Sequence, residues 1–502
     1  MTDVSHIVAD ALSAASRRLK LSDALQPRGV VRSVADGVAI IAGLDDVGYE
    51  ELLVFDSGAL GIAFDLRKHD LGAVLLTGAD RIGEGEGVVG LQKLPELPVG
   101  PEALGRILNP LGLPLDERPR LSTTKTQPLF KSAPEIIERQ SVKKTFRTGV
   151  TAVDAAIPIG RGQRELIIGD RNVGKTALAT DFLAAQQQGD VACVYVMIGQ
   201  PMSRVQVLHD LLEQSGCLNN TAIIAAYASD SPGLQYLAPF AGATMAESFR
   251  EAGGDAVVIY DDLTKHADAY RELALLLGRP PGRAAYPGDI FYLHAELLER
   301  AAPLGEKQGG GSVTAFPLVE TTEGDISAYI PTNLISITDG QIYLDTNRFE
   351  RDLRPAIDIG RSVSRIGATA QSGAMRKASR NLKIQISRFE SVEKLSRVGL
   401  DVDLSTQTML KEGNILRQLL RQKRFSPRTS SYQVILLTAV SEHWISDISA
   451  SRALQAIDKL HATVERQLPE IVKTLDRGEL PPEGWQTEIR ELVPGVLQQI
   501  SG

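Results

Sequence analysis

Residues 169–176 read Gly169-Asp170-Arg171-Asn172-Val173-Gly174-Lys175-Thr176, a glycine-rich turn closing on Gly-Lys-Thr. Before it runs Glu165-Leu166-Ile167-Ile168, a short apolar strand; after it runs Ala177-Leu178-Ala179-Thr180-Asp181-Phe182-Leu183, a predicted helix. Strand, loop and helix start in that order build an anion site. The N–H groups of the loop and the positive end of the helix dipole face one point. In this spacing Lys175 reaches the β- and γ-phosphates of a nucleotide, and the Thr176 hydroxyl holds Mg²⁺. The backbone from Gly169 to Gly174, with Ala177 at the helix start, completes the cradle. Four fixed positions match by chance in a chain this long roughly a few times in a hundred. The flanking strand and helix lower that figure further.

The bulk composition fits such a protein. A chain of 502 residues, 43% hydrophobic and 23% charged, is globular with ample core and room for two to four domains. A formal charge of −8 argues against a protein wrapped around nucleic acid. Cys193 and Cys217 form no metal-ligand spacing and read as buried small residues in a reducing cytoplasm. No apolar stretch reaches the about 20 residues that would span a bilayer. The opening Met1-Thr2-Asp3-Val4-Ser5-His6 lacks a basic, then apolar, leader pattern, so no secretion or organelle signal is expected.

Four segments follow from the patterning. In residues 1–25, Val4, Ile7, Val8, Ala11, Leu12 and Ala15 recur at helical spacing. Thr2 or Asp3 can cap this amphipathic helix. Its apolar face wants a partner, either the chain's own body or, as the preferred reading, a separate subunit. Residues 26–95 hold short β-rich runs. Asp36-Gly37 is a hairpin signal, a second turn falls at Asp56-Ser57-Gly58, and Gly72 and Gly87 punctuate further strands. This predicts a small β-barrel. From 96 to 372, apolar runs at 165–168, 192–198, 221–225, 256–260 and 312–317 alternate with helical stretches, the pattern of a parallel α/β sheet. Residues 373–502 carry charged-apolar stretches such as 383–400 and 428–448 and predict a helical bundle.

A phosphate-loop protein needs an acid at the end of a neighbouring apolar strand to hold Mg²⁺. Ala256-Val257-Val258-Ile259-Tyr260 runs directly into Asp261, the preferred magnesium residue, while Asp262 could instead cap the following helix. Hydrolytic members of this class also place a carboxylate at the end of the strand after the loop helix. Here that strand, Ala192 to Gly199, ends at Gln200. An amide orients water but does not accept its proton. The site therefore reads as built to hold a nucleotide and poor at cleaving it.

Longer strings resemble the α subunit of F-type ATP synthase. They are Pro158-Ile159-Gly160-Arg161-Gly162-Gln163-Arg164-Glu165, Tyr260-Asp261-Asp262-Leu263 with Lys265, and Arg279-Pro280-Pro281-Gly282-Arg283 with Ala285-Tyr286-Pro287-Gly288-Asp289. Ser327-Ala328-Tyr329-Ile330-Pro331-Thr332-Asn333 and Ile335-Ser336-Ile337-Thr338-Asp339-Gly340-Gln341 match as well. The likeness spans nearly the whole chain. It implies an N-terminal six-stranded β-barrel, a central RecA-like α/β domain and a C-terminal helical bundle. It further implies a ring of three α and three β subunits in which the α sites bind Mg-ATP or Mg-ADP without turning it over, in agreement with Gln200. The implied partners are β, the γ central stalk and the δ/b peripheral stalk. The implied work is ATP synthesis or hydrolysis coupled to proton (or sodium) flow, at the cytoplasmic face of a bacterial inner membrane.

The resemblance also assigns residues. Ser362-Val363-Ser364-Arg365-Ile366-Gly367 matches the string that lends an arginine to the β site, so Arg365 is the implied finger, with Ser336 and Val363 near the same shared site. Without the likeness, an arginine between serines reads as an ordinary surface residue. Phe349, Arg354 and Pro355 match residues around the adenine, where flat side chains stack on a base, and Gln422 matches a glutamine near it. There are departures. Asn172-Val173 stands for the usual Gln-Thr, Pro201-Met202 for a usual basic pair, and Lys423-Arg424 for Gly-Gln. Together they point to a divergent, second-copy or alternative-operon branch. A self-sufficient ring ATPase would need a carboxylate at position 200. An RNA translocase would need exposed aromatics and basic charge in the barrel, where only Tyr49, Phe55 and Phe64 are aromatic.

Overall fold

The computed structural model describes residues 28–187, 191–397, 404–446 and 448–501. The helix expected at the N-terminus lies outside the described residues. The first strands are β1 (Arg28–Ala35), β2 (Val38–Ala42), β3 (Leu52–Phe55), β4 (Leu60–Leu66), β5 (Asp70–Thr77) and β6 (Gly87–Gly90). They close a barrel in the order β1-β2-β5-β4-β3-β6. Asp36 and Gly37 have φ of 45° and 90°, so the β1–β2 hairpin uses a turn whose twist matches its strands. The expectation for Gly72 is corrected: it lies inside β5, opposite Ile40 of β2, rather than in a turn. A Cβ there would stand 2.6 Å from Leu277 Cδ2, so the glycine permits close approach of the barrel wall to the central domain.

That approach is a true core. Val38, Ile62, Phe64, Val74 and Leu76 of the barrel share one buried cluster with the central domain. Phe64 meets Tyr236 edge-on at 5.2 Å, and Arg279 Nη2 donates to the Phe64 carbonyl at 2.7 Å. The barrel is bolted to the central domain, so it serves as a fixed collar.

Short strands bridge to the main sheet: β7 (Glu96–Pro98), β8 (Ile107–Leu108), β9 (Thr126–Pro128), β10 (Thr145–Phe146) and β11 (Ile159–Gly160). The principal strands are β12 (Leu166–Asp170), β13 (Val191–Gln200), β14 (Thr221–Tyr227), β15 (Asp255–Asp261), β16 (Ser312–Thr321), β17 (Gly340–Leu344) and β18 (Val363–Ser364). Eight strands join in the order β18-β17-β12-β16-β15-β13-β14-β8. All pairings are parallel except β17 with β18. β13 to β16 are almost wholly buried because helices cover both faces, which is why they read as continuous apolar runs. β12 lies between β16 and β17, and its C-terminal end carries the glycine loop into the helix Lys175–Ala184. Ligands of open parallel sheets bind at such strand ends.

The C-terminal part is helical, with helices including Leu382–Arg397, Leu404–Leu420, Ser430–Ser441, Ala450–Gln467 and Trp485–Ser501. A Cβ on Gly413 would lie 2.0 Å from Phe389, so the first two of these cross at closest approach. Their core is continuous with one face of the central sheet. Among the described residues, no helix is long and apolar enough to cross a membrane.

Candidate nucleotide-binding site

The loop between β12 and its helix turns sharply because Asn172 and Gly174 adopt φ of 65° and 102°. No side chain caps the helix at Gly174. Its first N–H groups therefore face the hollow of the loop, and a Cβ on Gly174 would meet nothing within 4 Å. Such a cradle fits an anion. Lys175 is 6% exposed, and its Nζ donates to the carbonyls of Gly169 (2.9 Å) and Asp170 (2.7 Å). Glu320 stands 3.8 Å away. Burial lowers the Lys175 pKa, while Glu320, Asp262, Asp261 and Asp170 oppose that shift and hold the charge.

Asp170 braces the loop from outside. It accepts from Thr321 Oγ1 (2.6 Å), Gly324 N (2.8 Å) and Thr346 Oγ1 (2.8 Å). Burial pushes its carboxyl up, but those bonds outweigh it and hold the pKa below the ordinary value. Arg171 and Asn172 are exposed at the tip, and Val173 is buried beneath it.

Thr176 Oγ1 donates to Asp261 Oδ2 at 2.9 Å, and Tyr195 OH donates to the same oxygen at 2.8 Å. A hydroxyl and a carboxylate thus converge beside the phosphate cradle, the hard oxygen donors that suit Mg²⁺. Burial raises the Asp261 pKa against these two bonds and Lys175. Asp262 caps the next helix by accepting from Lys265 N at 2.8 Å. Its carboxyl is pushed up to about 7, first by burial and then by the Asp261 charge. Gln200 ends β13 and is 6% exposed; its Oε1 accepts from Arg204 Nη1 at 3.2 Å.

From the loop a cleft of about 1050 Å³ runs to the helical domain, lined by Ala177, Asp181, Phe349, Arg354, Pro355 and Gln422 among others. The Arg354 guanidinium sits 4.8 Å over the Phe349 ring, giving two flat groups in the wall of the cleft. Gln422 reaches the cleft with its amide already engaged. Its Oε1 accepts from Thr151 N (3.2 Å), and its Nε2 donates to Gly149 O (2.7 Å) and Ser426 O (2.8 Å). It ties the two domains together at the cleft floor.

One group of the cleft escaped the sequence reading. Asp181 lines the cleft one helical turn beyond Ala177, a spacing of four that could have flagged it. Its Oδ1 accepts from Phe425 N at 2.8 Å, and burial, offset by that bond and by Arg424, pushes its pKa up to about 6. Arg424 Nη2 donates to Thr180 Oγ1 at 3.2 Å, so the Lys423-Arg424 departure places a cation beside this acid. Arg424→Ala is expected to weaken Mg-ATP binding about threefold at pH 8, because ionised Asp181 then faces the anionic ligand without its counter-charge. The loss should nearly vanish at pH 5, below the Asp181 value of about 6, where the acid is neutral. Calorimetric titration at both pH values checks it; an equal loss at both would refute the charge argument.

Arg365, Ser336 and Val363 lie on a different face, and all three are exposed. Arg365 follows edge strand β18, its N–H donates to Asp339 O at 2.8 Å, and its Nη2 donates to Ile335 O at 3.2 Å, beside Ser336. None of the three lines the chain's own cleft.

Comparison with known proteins agrees with this layout. Residues 149–364 match the ATP synthase alpha/beta family, nucleotide-binding domain, and residues 371–494 match the ATP synthase alpha/beta chain, C terminal domain. The chain is 46% identical over 448 residues to ATP synthase subunit alpha of Dehalococcoides mccartyi strain BAV1, covering 89% of each chain. It is 45% identical over 450 residues to the protein of the same name from strain 195, covering 89% of this chain and 90% of that one. Identity of this level over 89% of both chains is what common descent with one architecture produces, and the chain belongs to the ATP synthase alpha subunit family.

Proposed function

We propose that this chain is the non-catalytic α subunit of a bacterial F-type ATP synthase, binding Mg-ATP or Mg-ADP in its own cleft and lending Arg365 to the catalytic site of a neighbouring β subunit. The observation that carries the reading is the pairing of a complete phosphate loop with Gln200 at the strand end. The loop, Lys175, Thr176 and Asp261 supply what holding a nucleotide and its Mg²⁺ requires. Gln200 ends β13 with a side-chain amide where hydrolysis calls for a carboxylate, and an amide takes no proton from an attacking water. Thr176 and Asp261 would hold Mg²⁺, whose chemistry there would be to neutralise phosphate charge. Phe349, Arg354 and Pro355 would receive the base.

In this reading the chain alternates with β in a ring of three and three around the γ stalk, with the δ/b peripheral stalk at its N-terminus. The assembly works at the cytoplasmic face of the inner membrane and couples ATP synthesis or hydrolysis to proton (or sodium) flow. The test is made on the purified chain: titrate Mg-ATP, then follow phosphate release in the same sample. Binding with release no faster than in buffer is the expected result. Multiple turnover would overturn the non-catalytic role, and failure to bind would remove the nucleotide from the reading altogether.

A further inference from the structure

Glu165 immediately precedes β12 and is fully buried at 0% exposure. Its Oε2 accepts from Gln163 Nε2 at 2.7 Å, yet its Oε1 has no hydrogen-bond partner among the described residues. A buried carboxyl oxygen left unpaired is costly, so its retention calls for a role. The surroundings supply one. Gln163 Nε2 also donates to Ser364 Oγ at 3.2 Å, while Gln163 Oε1 accepts from Gly160 N at 2.9 Å. Ser364 Oγ donates to Pro158 O at 2.7 Å and accepts from Gly367 N at 3.2 Å. On the other side of Arg365, its own N–H donates to Asp339 O. The Asp339 carboxylate is gripped by Arg164 Nε (3.0 Å) and Nη2 (2.9 Å). Residues 163–165 thus clasp Ser364 and Asp339, the groups that hold the backbone of Arg365.

Gly340 makes room for the clasp. A Cβ there would lie 2.5 Å from a Glu165 carboxyl oxygen and 2.3 Å from Val363 O. Lys383, from the first long helix of the C-terminal domain, donates to Ser362 O at 3.2 Å and closes the group from below. Burial pushes the Glu165 pKa well up; Asp339 adds to this, while Lys383 and Arg365 oppose it, so the field of the guanidinium reaches the carboxyl.

We propose that Glu165, acting through Gln163 and Ser364, is a positioning residue for Arg365, locking the arginine-bearing segment to the root of the strand whose far end is the phosphate loop. The inference rests on the reading of Arg365 as the group lent to a neighbouring subunit. A guanidinium displaced by about 1 Å forfeits much of its effect on the reacting phosphate, a loss that reaches 10²-fold in comparable cases.

The experiment uses the ring assembled with its catalytic partner subunits and compares Glu165→Ala, Arg365→Ala and the double variant. Glu165→Ala is expected to lower kcat at least about tenfold with KM for Mg-ATP within about twofold, because the substrate site is on the partner. In the Arg365→Ala background the same change should alter kcat by less than about twofold, since the residue acts only through the arginine. A full tenfold loss in that background, or an unchanged kcat in Glu165→Ala alone, would overturn the proposal. Near-normal turnover in Arg365→Ala alone would instead sink the arginine reading, so the two failures are distinct. Should Glu165→Ala lose nucleotide binding by misfolding, Ser364→Ala carries the same cycle without touching the buried carboxyl.

Discussion

Arg365→Ala, in a ring assembled with catalytic partner subunits, is expected to lower steady-state ATP turnover about 10³-fold or more while the ring still forms and this chain still binds Mg-nucleotide. Arg365 is exposed, directly follows the edge strand β18, and among the described residues its side chain makes one hydrogen bond, to the carbonyl of Ile335. Truncating it therefore leaves no buried group unpaired, so fold and assembly are spared. What is lost is a planar cation able to donate two parallel N–H groups to the oxygens of a transferring phosphoryl group. Arg365→Lys keeps the charge and loses the fork, so it should recover only part of the rate. Turnover is followed by phosphate release and occupancy of this chain by retained nucleotide. Turnover within about threefold of the parent ring would remove Arg365 from the chemistry.

Much of this arrangement could be read from residues alone, and the limits have physical causes. The glycine loop was readable because backbone direction, helix dipole and lysine reach are all local to about ten residues. The parallel strands were readable because burial on both faces leaves continuous apolar runs. Gly72 misled because a turn glycine and a glycine that lets two walls approach look alike in sequence; the cause is Leu277, about two hundred positions away. The brace on Asp170 from Thr321 and Thr346 was equally hidden, since each partner is more than a hundred residues distant. Gln422 was placed near the base by resemblance, but its amide is engaged with backbone groups of the loop before Thr151 and of Ser426. Arg365 carried no signal of its own, because an arginine proposed to act on a neighbouring subunit looks, in its own chain, like any exposed surface residue.

Lys175→Ala is expected to weaken Mg-ATP binding to this chain by at least about 10²-fold, the usual consequence of removing one partner of a desolvated charge pair. Two losses combine. The direct one is the cation facing the β- and γ-phosphates. The indirect one is that Glu320, Asp261, Asp262 and Asp170, whose fields all act on Lys175, lose their shared counter-charge and repel an anionic ligand. The same argument fixes the sign of a pH effect on stability. Asp262 is pushed up to about 7 in the fold, above the ordinary carboxyl value, so the folded state binds the proton more tightly than the unfolded chain. Its ionisation therefore costs stability above about 7, and the cost is relieved as pH falls below that value toward the ordinary carboxyl range. Removing Lys175 enlarges the cost, because the lysine charge had been lowering the Asp262 pKa. Thermal unfolding should accordingly show Lys175→Ala more destabilised relative to the parent chain at pH 8 than at pH 5.5. Binding retained within a few-fold would mean that the loop is not where the nucleotide phosphates sit. A destabilisation that grows toward low pH would mean that the acids around Lys175 are not the groups it compensates.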